Sequence, residues 1–136
     1  MSRLRLKISM SLDGFVAGPQ QSVNNPLGIG GERLHDWVVS LAAWRSVHGM
    51  PGGEVNESSR VVEESTVGID ATIMGRNMFG GHPGAWDKGK PWNGWWGDNP
   101  PFHHPVFVLT HHPRERLVLQ GGTSFTFVTD GIQSAL

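Results

Sequence analysis

Three short apolar runs constrain the fold of this chain more than any other feature. Residues 69–74, 106–109 and 125–128 are rich in Ile, Val, Met or Phe and too short for ordinary helices. Runs of this kind read as strands buried on both faces, the kind that parallel sheets use. Parallel neighbours cannot be joined by a tight hairpin, so a long crossing segment must separate them. Ligands in such sheets gather beyond the carboxyl ends of the strands, so the residues that follow each run carry the functional interest.

The rest of the chain fits a strand–helix alternation around those runs. Leu4, Leu6, Ile8 and Met10 alternate with Arg5, Lys7, Ser9 and Ser11, a period of two that predicts a first strand. Asp13-Gly14 supplies turn chemistry at its end. Residues 20–31 read as a loop, punctuated by Asn24-Asn25-Pro26, Gly28, Gly30 and Gly31. Leu34, Trp37, Val38, Leu41, Trp44 and His48 form one apolar stripe at helical spacing, which Gly49, Pro51, Gly52 and Gly53 stop. A second helix is predicted from Glu57 to Thr66, with Asn56 as its N-cap. Residues 80–101 form a long loop full of Gly, Pro and Trp, and Asp130 is placed to cap a helix beginning near Ile132. The expected class is α/β with a mostly parallel central sheet, in a single domain over residues 1–136.

Composition removes several function classes. Cysteine is absent, so disulfides, thiolate metal sites and a cysteine nucleophile are excluded. A formal net charge of −1 gives no electrostatic case for nucleic acid or an anionic membrane. The opening residues Met1 to Lys7 are basic, but no signal-length apolar run follows and no stretch approaches a membrane span. A cytoplasmic protein acting on a small molecule is the expectation. Six tryptophans and 19 glycines keep a second class in view, an aromatic-rich ligand- or carbohydrate-binding module. Such a module would be built from short antiparallel strands at even spacing.

The segment from Met74 to Phe79 is the most suggestive motif. A buried strand delivers Gly75, Arg76 and Asn77 to a turn at its carboxyl end. Glycine lets a phosphate approach the backbone and arginine adds a charged, bidentate donor. An ordinary strand-to-helix turn with a solvated arginine fits the same residues. Thr110 and His111, with His112-Pro113, follow the next buried strand and so belong to the same sheet edge. A metal reading of His103, His104, His111 and His112 fails on spacing, because adjacent residues of an extended segment point to opposite faces. Two nucleotide patterns also fail. Pro91 stands where a phosphate loop needs Ser or Thr, and Arg33 stands where a dinucleotide fingerprint needs its third glycine. The tryptophan-rich segment from Trp92 to Pro101 reads as a stacking surface, a lid, or a loop that pins itself down by burying indoles.

Four segments in order resemble the dihydrofolate reductase family, and more closely its riboflavin-biosynthesis branch, the reductase domain of bifunctional deaminase-reductases. They are residues 11–18 (SLDGFVAG), 30–37 (GGERLHDW), 72–79 (TIMGRNMF) and 105–113 (PVFVLTHHP). The resemblance implies a three-layer fold and NADPH-dependent hydride transfer to a small heterocyclic or ribosylamino substrate. It implies that Ala17 and Gly18 lie against the nicotinamide, that Gly75, Arg76 and Asn77 hold cofactor phosphate, and that Thr110 and His111 meet the adenosine 2′-phosphate. The helix beginning near Glu32 would border the substrate, leaving Asp13 and Glu32 as the candidate catalytic carboxylates.

The family pattern continues past this sequence, with a strand ending in a glycine pair that cradles the cofactor pyrophosphate. Gly121-Gly122 precedes the run at 125–128 and does not match that pair. The expectation is therefore a fold incomplete at its carboxyl end, or a truncated, non-catalytic remnant. Apolar surface at Phe125, Phe127, Ile132 and Leu136 would then be exposed, and the unfinished sheet edge would favour homodimer formation or other association.

Overall fold

The structure is a computed structural model that describes residues 3–136. Met1 and Ser2, which open the basic stretch, lie outside the described residues. The elements in chain order are α1 (Asp36–Val39), α2 (Ala42–Val47), α3 (Glu57–Thr66), β1 (Thr72–Gly75), α4 (Arg76–Phe79), β2 (Pro105–Leu109), β3 (Leu117–Val118) and β4 (Ser124–Val128). Short 3-10 turns cover Gly31–Leu34, Gln120–Gly122 and Ile132–Ser134. The chain divides into two units, one ending at Val67 and the other spanning Gly68–Leu136. Each is described by itself.

In the second unit the three apolar runs form a mostly parallel sheet, as expected, but β1 takes up only Thr72 onward, and the face carrying Ile73, Phe107 and Thr126 is only partly buried. Its order is β1-β2-β4-β3. β1 pairs with β2 and β2 with β4 in parallel, through Met74↔Val108 and Val108↔Phe127 among others. The protein is thus α/β with a mostly parallel sheet. β3, which the sequence does not announce, pairs antiparallel with β4 through only two residues. Its two-residue length is too short for any periodic signal.

One face of this sheet carries Met74, Val106, Val108, Phe125 and Phe127, all buried with Phe79 in a single cluster. The crossing from β1 to β2 covers that face with the tryptophan-rich loop instead of a long helix. Trp86, Trp92, Trp96 and Phe102 pack against the cluster, and Phe79 meets Phe125 and Phe127 edge-on at centroid distances of 5.0 and 5.3 Å. Indoles suit this task because their N–H groups find partners while the rings are withdrawn from water. Trp86 Nε1 donates to the His112 carbonyl and Trp92 Nε1 to the Phe79 carbonyl, each at 2.8 Å. The loop therefore pins itself down. Phe125 and Phe127 are buried, which corrects the expectation that they would be exposed. The loop supplies the cover that a missing crossover was expected to leave open. Ile132 and Leu136 are exposed, and the segment after Asp130 makes only a 3-10 turn where a helix was expected.

In the first unit α3 behaves as predicted. The Asn56 side chain accepts from the Ser59 N–H at 3.2 Å, and Ser59 Oγ accepts from the Asn56 N–H at 3.1 Å. This reciprocal capping box satisfies two donors that a helix start leaves bare. Val62 on its buried side joins Val38, Leu41 and Ala43 in a small core with Trp44 against it.

Two other expectations are overturned here. The stripe from Leu34 to His48 is not one helix, because Leu41 adopts an extended conformation (φ −76°, ψ 138°) between α1 and α2. Around that break the backbone turns to Glu54, whose carbonyl accepts from Ala42 N–H and whose N–H donates to the Ser40 carbonyl, both at 2.9 Å. Val38 and Leu41 stay buried while the axis breaks, but Trp37 and His48, at the same spacing, are exposed. The first strand is also absent: residues 3–11 adopt no regular structure. Leu4, Leu6, Ile8 and Met10 are exposed, and the segment is tethered by Arg5 Nη1 to the Val67 carbonyl and Lys7 Nζ to Ser65 Oγ, each at 2.9 Å. Alternation describes a surface suited to a sheet, but backbone hydrogen bonds must come from a neighbouring strand.

Candidate functional site

The parallel register brings the carboxyl ends of β1, β2 and β4 to one edge of the second unit, and a cavity of about 490 Å³ opens there. Its size falls in the range of small-molecule sites. Gly75, Arg76 and Asn77 reach it from β1 and α4, and Thr110 and His111 reach it from the exit of β2. All five residues assigned to this edge from the sequence are therefore gathered in one place. Gly75 leaves real room, since a Cβ built on it meets nothing within 4 Å. No aspartate or glutamate lines the cavity, so its polar surface is neutral or cationic.

Three contributions went unread in the sequence. Thr129 and Gly131 follow β4, and Pro83 with Gly84 lines the cavity from the tryptophan-rich loop. The first two were recoverable, because a third parallel strand must deliver its exit to the same edge. The Pro83–Gly84 contribution was not, because it depends on how the loop folds back.

The Arg76 guanidinium is held within the fold. Nη1 donates to the Gly80 carbonyl and Nη2 to the His82 carbonyl at 2.8 Å, while Cζ lies 3.4 Å from the centroid of the Trp86 ring. Its Nε is buried with no partner. Arg114 approaches the same indole at 5.1 Å and donates to the Trp92 carbonyl and, at 2.7 Å, to Asn93 Oδ1. Burial lowers the Arg76 pKa from its ordinary value, and the neighbouring Arg114 charge adds to that. Burial lowers Arg114 likewise. Both stay cationic at neutral pH, as arginine does in proteins. Arg76 thus fastens the start of the loop beside the cavity, and a phosphate would have to compete with two carbonyls for it.

Thr110 is buried, and its hydroxyl accepts from the His112 N–H at 3.2 Å, while its own N–H donates to the Val128 carbonyl at 3.0 Å. These contacts fix the β2 exit so that His111 stands exposed at the rim. At the opposite end of the strands His104 Nε2 lies 2.7 Å from Thr72 Oγ1 and His103 Nδ1 lies 2.8 Å from the Gly121 carbonyl. Among the described residues no three potential metal-ligating side chains converge.

The remaining candidates belong to the first unit. Asp13 Oδ1 accepts from Ser11 Oγ at 2.6 Å inside an exposed turn. Glu32 is exposed in the 3-10 turn Gly31–Leu34. Ala17 precedes Gly18, whose N–H donates to the Leu27 carbonyl at 2.8 Å. A side chain on Gly18 would overlap the Ile29 carbonyl, so glycine is required there for close approach of two backbone segments. Among the described residues, no helix is long and apolar enough to cross a membrane. No protein-family model matches the chain, and no curated protein matches it.

Proposed function

We propose that this protein is an NADPH-dependent reductase of the dihydrofolate reductase type, transferring hydride to a small heterocyclic or ribosylamino substrate. One observation carries the reading: the cavity at the shared carboxyl ends of three parallel strands, lined by Gly75, Arg76, Asn77, Thr110 and His111 and free of carboxylates. That lining fits the phosphate-bearing end of a dinucleotide. The open space over Gly75 admits the phosphate, Asn77 and Thr110 offer neutral polar groups, and His111 stands at the rim. Arg76 supplies positive charge from the cavity wall. When bound, NADPH would supply the hydride, and the protein would bind and orient it.

The alternative of an aromatic-stacking module asks for indole faces turned to solvent. Trp86, Trp92 and Trp96 pack against the core, so that reading draws no support from them.

Gly75→Val is the discriminating variant. Its backbone (φ −80°, ψ 160°) suits any residue and its Cβ meets no neighbour, so a side chain adds bulk at the cavity lining without straining the backbone. NADPH binding, followed by ligand fluorescence, is expected to weaken at least tenfold, or about 1.4 kcal/mol, with unfolding unchanged. NADH is expected to bind more weakly than NADPH to the unaltered protein. Equal affinity for both dinucleotides, untouched by Gly75→Val, would remove the proposal.

A further inference from the structure

Asn93 is exposed in the tryptophan-rich loop, and Arg114 Nη2 donates to its side-chain oxygen at 2.7 Å. Among the described residues Arg114 has no carboxylate partner; its other acceptor is the Trp92 carbonyl, one residue earlier. The next residue is Gly94, held at φ 96°, which has no Cβ to obstruct approach to the Asn93 side chain. The other asparagines differ. Asn24, Asn56 and Asn77 precede Asn, Glu and Met, while Asn25 and Asn99 precede prolines that have no N–H to lose.

We propose that Asn93 is a site of self-modification, deamidated by attack of the Gly94 backbone nitrogen with Arg114 stabilising the charge that develops on Oδ1. The Gly94 nitrogen forms a bond to Asn93 Cγ, and the carbonyl electron pair moves onto Oδ1, where the Arg114 guanidinium already donates. As the carbonyl re-forms, the Cγ–Nδ2 bond breaks, and the side-chain nitrogen leaves as ammonia with the proton from Gly94. Water then adds to either carbonyl of the cyclic imide, giving aspartate or isoaspartate. Water is the one reagent consumed. A donor placed where an oxyanion forms, and fixed before the reaction, is the arrangement that lowers such barriers. The aspartate product gives Arg114 a charged partner beside the Trp92 anchor, a stronger contact than the neutral amide. The isoaspartate product lengthens the backbone between Trp92 and Gly94 and loosens that anchor.

The test follows each asparagine by peptide mass mapping while the chain stands in mildly alkaline buffer. Conversion is expected at Asn93 ahead of the other five asparagines. Arg114→Gln is expected to slow it roughly tenfold, less than the ~10²–10³ that an enclosed oxyanion donor contributes, because this site is open to water. A second comparison does not depend on that variant folding. The unaltered chain is followed with and without urea, and the folded chain is expected to convert Asn93 faster. An Asn93 rate equal to the other asparagines, or faster in urea than in the folded chain, would overturn the proposal. So would an unchanged rate in a folded Arg114→Gln protein.

Discussion

From Gly68 onward, Met74, Phe79, Val106, Val108 and Phe125 are closed off from water, whereas before Val67 the residues Leu4, Leu6, Ile8 and Met10 stand 59–89 % exposed. Both regions hold comparable apolar side chains, so hydrophobicity alone does not separate them. The difference lies in where the backbone finds its hydrogen bonds. In the second region each apolar run lies beside another, and the ladders of β1, β2 and β4 satisfy one another. In the first region α3 satisfies itself locally, and the alternating segment at residues 4–10 has no strand alongside. A helix carries its own partners in its sequence, whereas a strand borrows them from elsewhere in the chain.

The largest test of this contrast lies at the centre of the aromatic cluster. Phe125→Ala removes a fully buried ring that meets Phe79 at 5.0 Å and Phe102 at 6.0 Å. A loss of about 3–5 kcal/mol is expected in denaturant unfolding followed by tryptophan fluorescence. A loss under about 1 kcal/mol would mean that the second region is no better packed than the first. Next comes Gly18→Ala, whose Cβ would overlap the Ile29 carbonyl. About 1–3 kcal/mol of destabilisation is expected, on the scale of overpacking, and amide exchange should rise around Leu27 and Ile29. Unchanged protection there would show that the loop is not held as tightly as its contacts indicate.

Asn56→Ala measures the locally satisfied part of the first region. Losing the capping box at Ser59 should cost about 1 kcal/mol, read as a lower unfolding midpoint with early loss of helical circular dichroism. No change would mean that packing of Val62 alone decides α3. The smallest effect belongs to Leu6→Ser, at a side chain 89 % exposed. A shift within about 0.5 kcal/mol is expected. A loss of about 2 kcal/mol or more would break the comparison outright, because a change of that size belongs to a buried side chain and would place the segment against a partner in solution.

The candidate site was legible to the extent that strands were. Once residues 69–74, 106–109 and 125–128 are recognised as parallel strands, their exits must share an edge. Chain order alone then groups Gly75, Arg76 and Asn77 with Thr110 and His111, and the cavity gathers those same residues. The engagement of Arg76 was not legible. Which acceptor a guanidinium takes depends on where the Gly80 and His82 carbonyls and the Trp86 ring come to rest, and spacing along the chain does not encode that.

By itself the sequence determined what short-range chemistry controls. The Asn56 cap fixes where α3 starts, the three apolar runs mark where β1, β2 and β4 form, and the lack of cysteine removes whole classes of site. Only the tertiary structure decided what depends on a distant partner. It broke the Leu34-to-His48 stripe at Leu41, where Glu54 takes the backbone hydrogen bonds, and left residues 4–10 without a strand beside them. It also turned Trp86, Trp92 and Trp96 of the long loop inward as the cover of the sheet, and left Trp95 exposed. Periodicity records which side chains prefer to leave water, and the choice of what buries them is made by chain segments far away in sequence.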